Sequence, residues 1–221
     1  MVDLHTHTIQ SDGALAPAEL SRRAAVKGYK YLGLSDHVDQ SNLESVLVAA
    51  LRAAEALSGE IGLTLLAGVE LTHVPPRRIG AMVERARELG ADFLVVHGES
   101  PVEPVAPGTN LAAIEAGVDI LAHPGLISPA EVALAAKMGV YLELSGRGGH
   151  GFGNGLVASL ARAHGAKLLV NSDAHAPSDL MTPEYQRMVA LGAGLSESEY
   201  GTLIGQALTL AKRLAKKGGR A

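Results

Sequence analysis

Two short motifs near opposite ends of the chain place metal-binding side chains two residues apart. His5-Thr6-His7 lies near the start, and Asp173-Ala174-His175 lies near the end. In an extended strand, residues i and i+2 project to the same side of the sheet, so each pair can reach one ion. Imidazole nitrogens and carboxylate oxygens are ligands of Zn, Mn and Fe. The motifs therefore indicate a metal site, although a single H-x-H motif is a weak signal.

Further candidate ligands strengthen this interpretation. Three more histidines directly follow apolar runs: His37, His97 and His123. With the three histidines of the two motifs, six of the nine histidines therefore lie at predicted strand exits. A hydrogen bond at a strand end could explain one such residue, but six converging imidazoles without a cation would repel one another on protonation. Carboxylates complete a set of nine ligands: Asp12 in a Ser-Asp-Gly turn, Glu70 and Asp173. Nine N and O ligands exceed the needs of one ion, so we expect two or three divalent transition-metal ions.

The elements that must position these residues follow from the hydrophobic pattern. Seven short apolar runs alternate with helical patterns. The runs are Val2–His5, Tyr31–Ser35, Leu63–Val69, Phe93–Val96, Ile120–Ala122, Val140–Leu144 and Lys167–Val170. The helical patterns are Pro17–Lys27, Asn42–Leu57, Arg77–Leu89, Thr109–Ala116, Pro129–Met138, Asn154–His164 and Glu197–Lys217. This alternation predicts a parallel sheet covered by helices.

The polar residues at the strand ends favour a barrel over an open sheet. An open sheet concentrates its ligand groups near one switch point, whereas here a polar group follows each of the seven runs. The ends of all strands must then converge on one axis, so we expect a closed or nearly closed α/β barrel with the site at its C-terminal face. We expect one domain over residues 1–221, with a final helix and basic tail over about 196–221.

Composition excludes several other classes. The chain has no cysteine, which rules out disulfides, thiolate metal sites and a cysteine nucleophile. Hydrophobic residues make up 47% and charged residues 19%, which excludes a disordered chain. No leader pattern and no membrane-length apolar run is present, so we expect a cytoplasmic protein without membrane contact. The net charge of −4 does not favour nucleic acid binding, and we interpret the basic cluster as a solvated helix end: Lys212, Arg213, Lys216, Lys217 and Arg220.

The full set of motifs resembles the polymerase and histidinol phosphatase (PHP) family over essentially the whole chain. The resemblance implies a distorted seven-stranded TIM-like (β/α)7 barrel with a trinuclear site of Zn, Mn or Fe and phosphoester hydrolysis as the usual activity. It further implies three ligand groups. These are His5, His7, Glu70 and Asp173 for one ion; Glu70, His97 and His123 for the second; and Asp12, His37 and His175 for the third.

Several residues around these ligands are candidates for contact with a substrate. A loop with six glycines in residues 146–155 carries Arg147, which could bind phosphate oxygens, and His150, a weaker candidate. His73 could protonate a leaving group or touch the substrate. Glu99 and Glu103 could orient imidazoles. His164 precedes a glycine at a helix end, where we expect a structural role.

We expect a metal-dependent phosphoesterase in which Glu70 and Asp173 take part in catalysis and a metal-bridging hydroxide attacks phosphorus. A small phosphomonoester is the expected substrate, as for histidinol phosphatases. A phosphodiesterase or 5′-end nuclease acting on nucleotides or short oligonucleotides is the alternative. Two other classes stay open, a metal-binding module without turnover and an amidohydrolase-type barrel. The second is disfavoured because Lys30 and Lys167, its possible carboxylated lysines, lie at strand starts.

Overall fold

Eight strands form one parallel sheet in the computed structural model, which describes residues 1–219. The strands are β1 Val2–Asp3, β2 Tyr31–Leu34, β3 His37–Val38, β4 Thr64–Leu71, β5 Phe93–His97, β6 Ile120–Ala122, β7 Tyr141–Ser145 and β8 Leu168–Asn171. Seven of them follow one another around the sheet in the order β1-β2-β4-β5-β6-β7-β8. The two-residue strand β3 continues the line of β2 and pairs with the end of β4.

The first and last strands meet and nearly close the sheet. Thr6 and Ala174, just beyond β1 and β8, form a parallel bridge. The backbone N–H of His7 donates to the Ala174 carbonyl at 2.9 Å, and the N–H of Leu4 donates to Asn171 Oδ1 at 3.0 Å. The predicted seven-stranded TIM-like barrel is therefore confirmed. Its first strand ends at Asp3, earlier than expected, so the two ligand histidines of this segment lie beyond the strand.

Eight α-helices connect the strands within the described residues. They are α1 Pro17–Val26, α2 Leu43–Leu57, α3 Pro76–Glu88, α4 Thr109–Glu115, α5 Pro129–Met138, α6 Asn154–His164, α7 Pro183–Gly192 and α8 Glu197–Lys217. Capping boxes at Ser128 and Ser196 fix the starts of α5 and α8. The sequence pattern missed α7, whose first turn is capped by the Thr182 side chain, and the 3-10 turn His150–Gly153.

Alternate strand residues separate two apolar cores. On β5, Leu94 and Val96 pack toward the surrounding helices, whereas Phe93 and Val95 fill the barrel interior. Gly33 and Gly68 make room for the Phe93 ring, because a Cβ on either would lie 2.5 Å from it. The lower interior is thus filled with apolar side chains, and the candidate ligands lie above it, at the C-terminal end of the barrel.

The last helix closes the lower end of the barrel. Leu210 and Leu214 of α8 belong to the same apolar cluster as Phe93. On the outer face of α8, Arg213 lies 3.4 Å from Asp119, and Lys217 donates to the Ala91 carbonyl at 3.5 Å. Both partners come just before strands, so these basic residues lie at the N-terminal end of the barrel. Arg220, the last member of the basic cluster, lies outside the described residues.

No helix within residues 1–219 is both long and apolar enough to cross a membrane.

Candidate metal centre

The candidate ligands meet at the upper end of the barrel. Glu70 and His97 are on strands β4 and β5, and His37 is on the short β3. His123 directly follows β6 and has a φ angle of +26°. Asp173 lies two residues after β8 and has a φ angle of +53°. Positive φ is strained for residues other than glycine, and such strain is concentrated at functional sites. All nine predicted ligands lie at this end, and four groups of side chains there, one of which includes His150, could hold an ion.

The deepest group surrounds the fully buried Glu70 carboxylate. His5 Nε2 lies 3.2 Å from Glu70 Oε1, and His7 Nε2 lies 3.8 Å from Glu70 Oε2. The Asp173 carboxylate approaches the same two imidazoles, 3.6 Å from His5 and 3.1 Å from His7. His123 Nε2 lies 3.8 Å from both Glu70 and Asp173. Ligands from four strands therefore enclose one small volume.

A second group lies nearer to solvent. His175 Nε2 and His37 Nε2 lie 3.2 Å and 3.5 Å from Asp12 Oδ1. The rings of His7 and His175 stack at 4.1 Å. Asp12 is 57% exposed, so this group forms the outer edge of the site. The ligand atoms of these four residues lie within 4.8 Å of one another.

A third group contains a residue that the sequence indicated only weakly. His97, His123 and His150 have ligand atoms within 4.8 Å of one another. The ring centroid of His123 is 4.4 Å from that of His97 and 4.3 Å from that of His150. The glycine-rich loop therefore brings a buried imidazole to the site. The only sequence signal for it was one histidine among glycines after a strand.

Several buried ligand atoms make no hydrogen bond of normal geometry among the described residues. They include His5 Nε2, both ring nitrogens of His7 and of His123, and Glu70 Oε1. A buried polar atom without a partner costs about 1–3 kcal/mol. Coordination of divalent cations would satisfy these atoms, and the mixed N and O donors suit Zn, Mn or Fe. The residues present therefore fit a multinuclear metal centre.

The protonation states of His7, His123 and Glu70 favour coordination. Burial lowers the pKa of His7 and His123 well below its ordinary value, and neighbouring imidazoles lower it further. Burial acts to raise the pKa of Glu70, but the nearby His5 and His37 hold it well below its usual range. Neutral imidazoles and an ionised carboxylate are the forms that bind cations.

Side chains that the sequence pattern did not single out contact the candidate ligands. Glu143 Oε2 lies 2.8 Å from His5 Nδ1 and accepts a hydrogen bond from Asn171 Nδ2 at 2.9 Å. Thr72 Oγ1 lies 2.7 Å from His37 Nδ1. A carboxylate within the apolar run of β7 was the available sequence signal for Glu143. Such partners fix the ring orientation and tautomer of metal-binding histidines.

The two loop carboxylates that were predicted to orient imidazoles lie in different settings. Glu103 Oε2 lies 3.1 Å from His97 Nε2 and 3.5 Å from His73 Nε2. The prediction for Glu99 was wrong, since its carboxylate accepts the backbone N–H groups of Gly108 and Asn110 at the start of α4. Unpaired N–H groups at a helix start attract a carboxylate, and the loop length allows Glu99 to reach them.

Arg147 lies at the edge of the site. Its Nη1 is 2.7 Å from His175 Nδ1 and donates to the Asp173 carbonyl at 3.2 Å. The side chain is 35% exposed and lines a neighbouring cavity of about 410 Å³, together with Ser172 and Tyr185. Arg147 thus lies between the ligand groups and a space of small-molecule size.

The two remaining histidines occupy different settings. His73 is 47% exposed, has φ of +53°, and stacks on the His97 ring at 5.6 Å. It therefore borders the third group without being buried in it. His164 is the exposed last residue of α6, before Gly165 in the left-handed conformation, and lies at the helix end as expected.

Fold and site together define an α/β barrel with a buried histidine and carboxylate centre at its open end. The chain is 44% identical over 215 residues to an uncharacterised protein of Methanocaldococcus jannaschii, a match that covers 96% of this chain and 99% of that one. The chain belongs to the same family as that protein. No protein-family model matches the sequence.

More distant relatives act on phosphate esters by name. The DNA polymerase/3′-5′ exonuclease PolX of Bacillus subtilis is 26% identical over 192 residues, which span 78% of this chain and 34% of that protein. The 3′,5′-nucleoside bisphosphate phosphatase of Chromobacterium violaceum is 30% identical over 107 residues, which span 42% of this chain and 38% of that protein. The chain thus spans little more than a third of either relative.

Solved structures share the fold. Histidinol phosphate phosphatase of Lactococcus lactis, complexed with Zn, L-histidinol and phosphate, has a TM-score of 0.61 at 15% identity, over 88% of this chain and 94% of that one. Adenine deaminase of Arthrobacter aurescens has a TM-score of 0.59 at 14% identity, over 90% and 77% of the two chains. At these identities the likeness concerns the fold alone.

Proposed function

We propose that the protein is a metal-dependent phosphoesterase of the PHP type that hydrolyses a small phosphomonoester. The observation that carries this proposal is the set of buried, unpaired ligand atoms around Glu70 with an arginine at its edge. Relatives that act on phosphate esters by name support it. The barrel alone does not, because a deaminase shares it as well as a phosphatase does.

The ligands would hold the ions in three overlapping groups. His5, His7, Glu70 and Asp173 would hold the first ion; Glu70, His97 and His123 the second; and Asp12, His37 and His175 the third. When bound, such ions activate water for attack on phosphorus and neutralise charge on the phosphate oxygens. Zn, Mn and Fe are all compatible with these donors.

Other side chains would bind the substrate and move protons. The Arg147 guanidinium, beside the ligands and partly exposed, would donate hydrogen bonds to phosphate oxygens. Burial raises the pKa of Asp173 to about 7, and this residue would act with Glu70 at the reacting centre. His73, exposed beside His97, would contact the substrate away from the cavity that Arg147 lines.

The cavity beside Arg147 supports a small substrate. Its volume of about 410 Å³ lies within the usual range for small-molecule sites. The leaving group would occupy this cavity while the phosphate lies at the ligands. Lys27 and Tyr185 line the wall away from the metal centre.

A nucleotide or the 5′ end of an oligonucleotide is the second candidate substrate. Phe152 is 79% exposed in the same 3-10 turn as His150, and exposed aromatic rings stack on bases. The basic cluster of α8 does not support this candidate, because its contacts with Asp119 and Ala91 lie at the opposite end of the barrel.

A substrate screen with quantified metal tests the proposal. Protein reconstituted separately with Zn, Mn or Fe is assayed by elemental analysis, and two or three ions per chain are expected. The same preparations are then offered phosphomonoesters, phosphodiesters and short oligonucleotides. Turnover of monoesters that is lost in Glu70→Gln supports the proposal. Full metal occupancy without turnover of any ester would favour a metal-binding module, and preference for oligonucleotides would favour the nuclease.

A further inference from the structure

His150 is the buried imidazole that the nine expected ligands do not include. His150 is 5% exposed, and its ring nitrogen Nδ1 makes no hydrogen bond among the described residues. Its ring centroid lies 4.3 Å from that of His123 and 5.8 Å from that of His97. A buried imidazole nitrogen without a partner is costly, so its position beside two other imidazoles requires a reason.

The glycines around His150 allow its loop to pack closely against the C-terminal end of the barrel. A Cβ on Gly153 would lie 2.6 Å from the Gly125 carbonyl, and one on Gly151 would lie 3.2 Å from the Ser145 carbonyl. The Asn154 side chain pairs with both the N–H and the carbonyl of Ser145, at 3.1 Å and 2.9 Å. These glycines therefore permit close backbone packing, which places the imidazole inward.

A carboxylate from a neighbouring loop faces the same place. Glu103 Oε2 lies 3.1 Å from His97 Nε2, and Glu103 Oε1 lies 3.5 Å from His150 Nε2. His97 Nδ1 is 3.0 Å from the Gly98 carbonyl, so Nε2 is the nitrogen of that ring that faces Glu103. Three imidazoles and one carboxylate are a usual donor set for a borderline divalent ion such as Zn.

We infer that His150 is a metal ligand at the position of Glu70, His97 and His123, with Glu103 as a further donor. This inference rests on the metal centre of the proposed function and adds two loop residues to the nine expected ligands. Since His150 lies in the glycine-rich loop, ion binding at this position fixes residues 146–155. The loop that carries Arg147 is then ordered by the metal.

Metal binding to matched variants tests the inference. His150→Gln and Glu103→Gln are compared with His164→Gln, which changes an exposed histidine at the end of α6. Elemental analysis and competition with a chelator give the number of ions and their affinities. His150→Gln is expected to lose one ion per chain or to hold it at least about tenfold more weakly, since even outer-shell partners contribute about 10- to 100-fold. His164→Gln is expected to match the wild type.

Hydrogen exchange of the wild-type protein and of His150→Gln tests the loop. Ions are expected to slow amide exchange in residues 146–155, and this protection is expected to fall in His150→Gln. Wild-type affinity and stoichiometry in His150→Gln, or a loop whose exchange ignores the ions, would overturn the inference. Neither readout requires a substrate. If metal binding depends on His150 but the protein turns over no phosphoester, the proposed function is rejected and the inference about His150 is supported.

Discussion

The Oε2 atom of Glu143 lies 2.8 Å from Nδ1 of His5, and both side chains are fully buried. Glu143 is a carboxylate at mid-height in the barrel, below the ligand groups and above the apolar interior. The pair leaves His5 Nε2 directed at Glu70 and Asp173. Glu143 is therefore a positioning residue for the imidazole that the two ligand carboxylates share.

Replacing Glu143 should weaken metal binding without removing a ligand. Glu143→Gln keeps the side-chain shape but loses the charge that orients His5, so metal affinity should fall by about 10- to 100-fold. Chelator competition measures this change. Glu115→Gln, at an exposed position of α4, is the matched control and should bind metal as the wild type does. Equal affinities for the two variants would contradict the positioning role.

Removal of metal should lower the melting temperature. The candidate ligands come from strands across the whole sheet, so ions held by them would bind the folded barrel and hardly at all the unfolded chain. Thermal melts before and after chelation, with metal content verified, measure the shift, and added metal should restore it. An unchanged melting temperature in metal-free protein would mean that the ions do not bind at a site formed by folding.

Glu70→Gln should disturb the centre more than any other conservative substitution of a single ligand. The amide keeps the shape but removes the negative charge that faces His5, His7 and His123. We expect a lower metal content and a loss of phosphomonoester turnover by orders of magnitude. A fully active Glu70→Gln enzyme would overturn the proposed mechanism.

Arg147→Ala should separate substrate binding from metal binding. If the guanidinium orients the phosphate, the loss of about 1–3 kcal/mol of transition-state stabilisation lowers kcat/KM by roughly 5- to 150-fold. Metal content should stay at the wild-type level, because all nine expected ligands are retained. His164→Ala should alter neither quantity. A wild-type kcat/KM in Arg147→Ala would show that the arginine has only a structural role beside His175.

Gly68→Ala should destabilise the barrel interior. The added methyl group would lie 2.5 Å from the buried Phe93 ring, and overpacking of this kind costs about 1–3 kcal/mol. Gly201→Ala, at an exposed position of α8 with open space around it, should instead stabilise by about 0.5–1 kcal/mol. Urea unfolding of metal-free protein compares the two. A neutral Gly68→Ala would show that the ring can move aside.

The alternation of strands and helices could be predicted from the sequence because it depends on local pattern. The barrel and the meeting of the nine candidate ligands could be predicted because a polar residue follows every predicted strand. Whether those nine side chains bind metal stays a prediction. Glu143 and His150 were harder to assign. Glu143 faces inward only because of the way β7 lies in the closed sheet, and His150 reaches the site through contacts with Gly125 and Ser145 on other segments. Such non-local packing leaves little trace in a single sequence.

The bridge between Thr6 and Ala174 also determines when the centre can assemble during synthesis. Leu4 and Asn171, which hydrogen-bond beside it, are 167 residues apart in sequence. A nascent chain from which Asp173 and His175 have not yet emerged lacks a member of two of the four candidate groups. The groups that are already complete are His97, His123 and His150, and His5, His7 and Glu70. Ions can thus stabilise only partial groups until the last strand docks, and joining such distant segments is slow relative to local pairing.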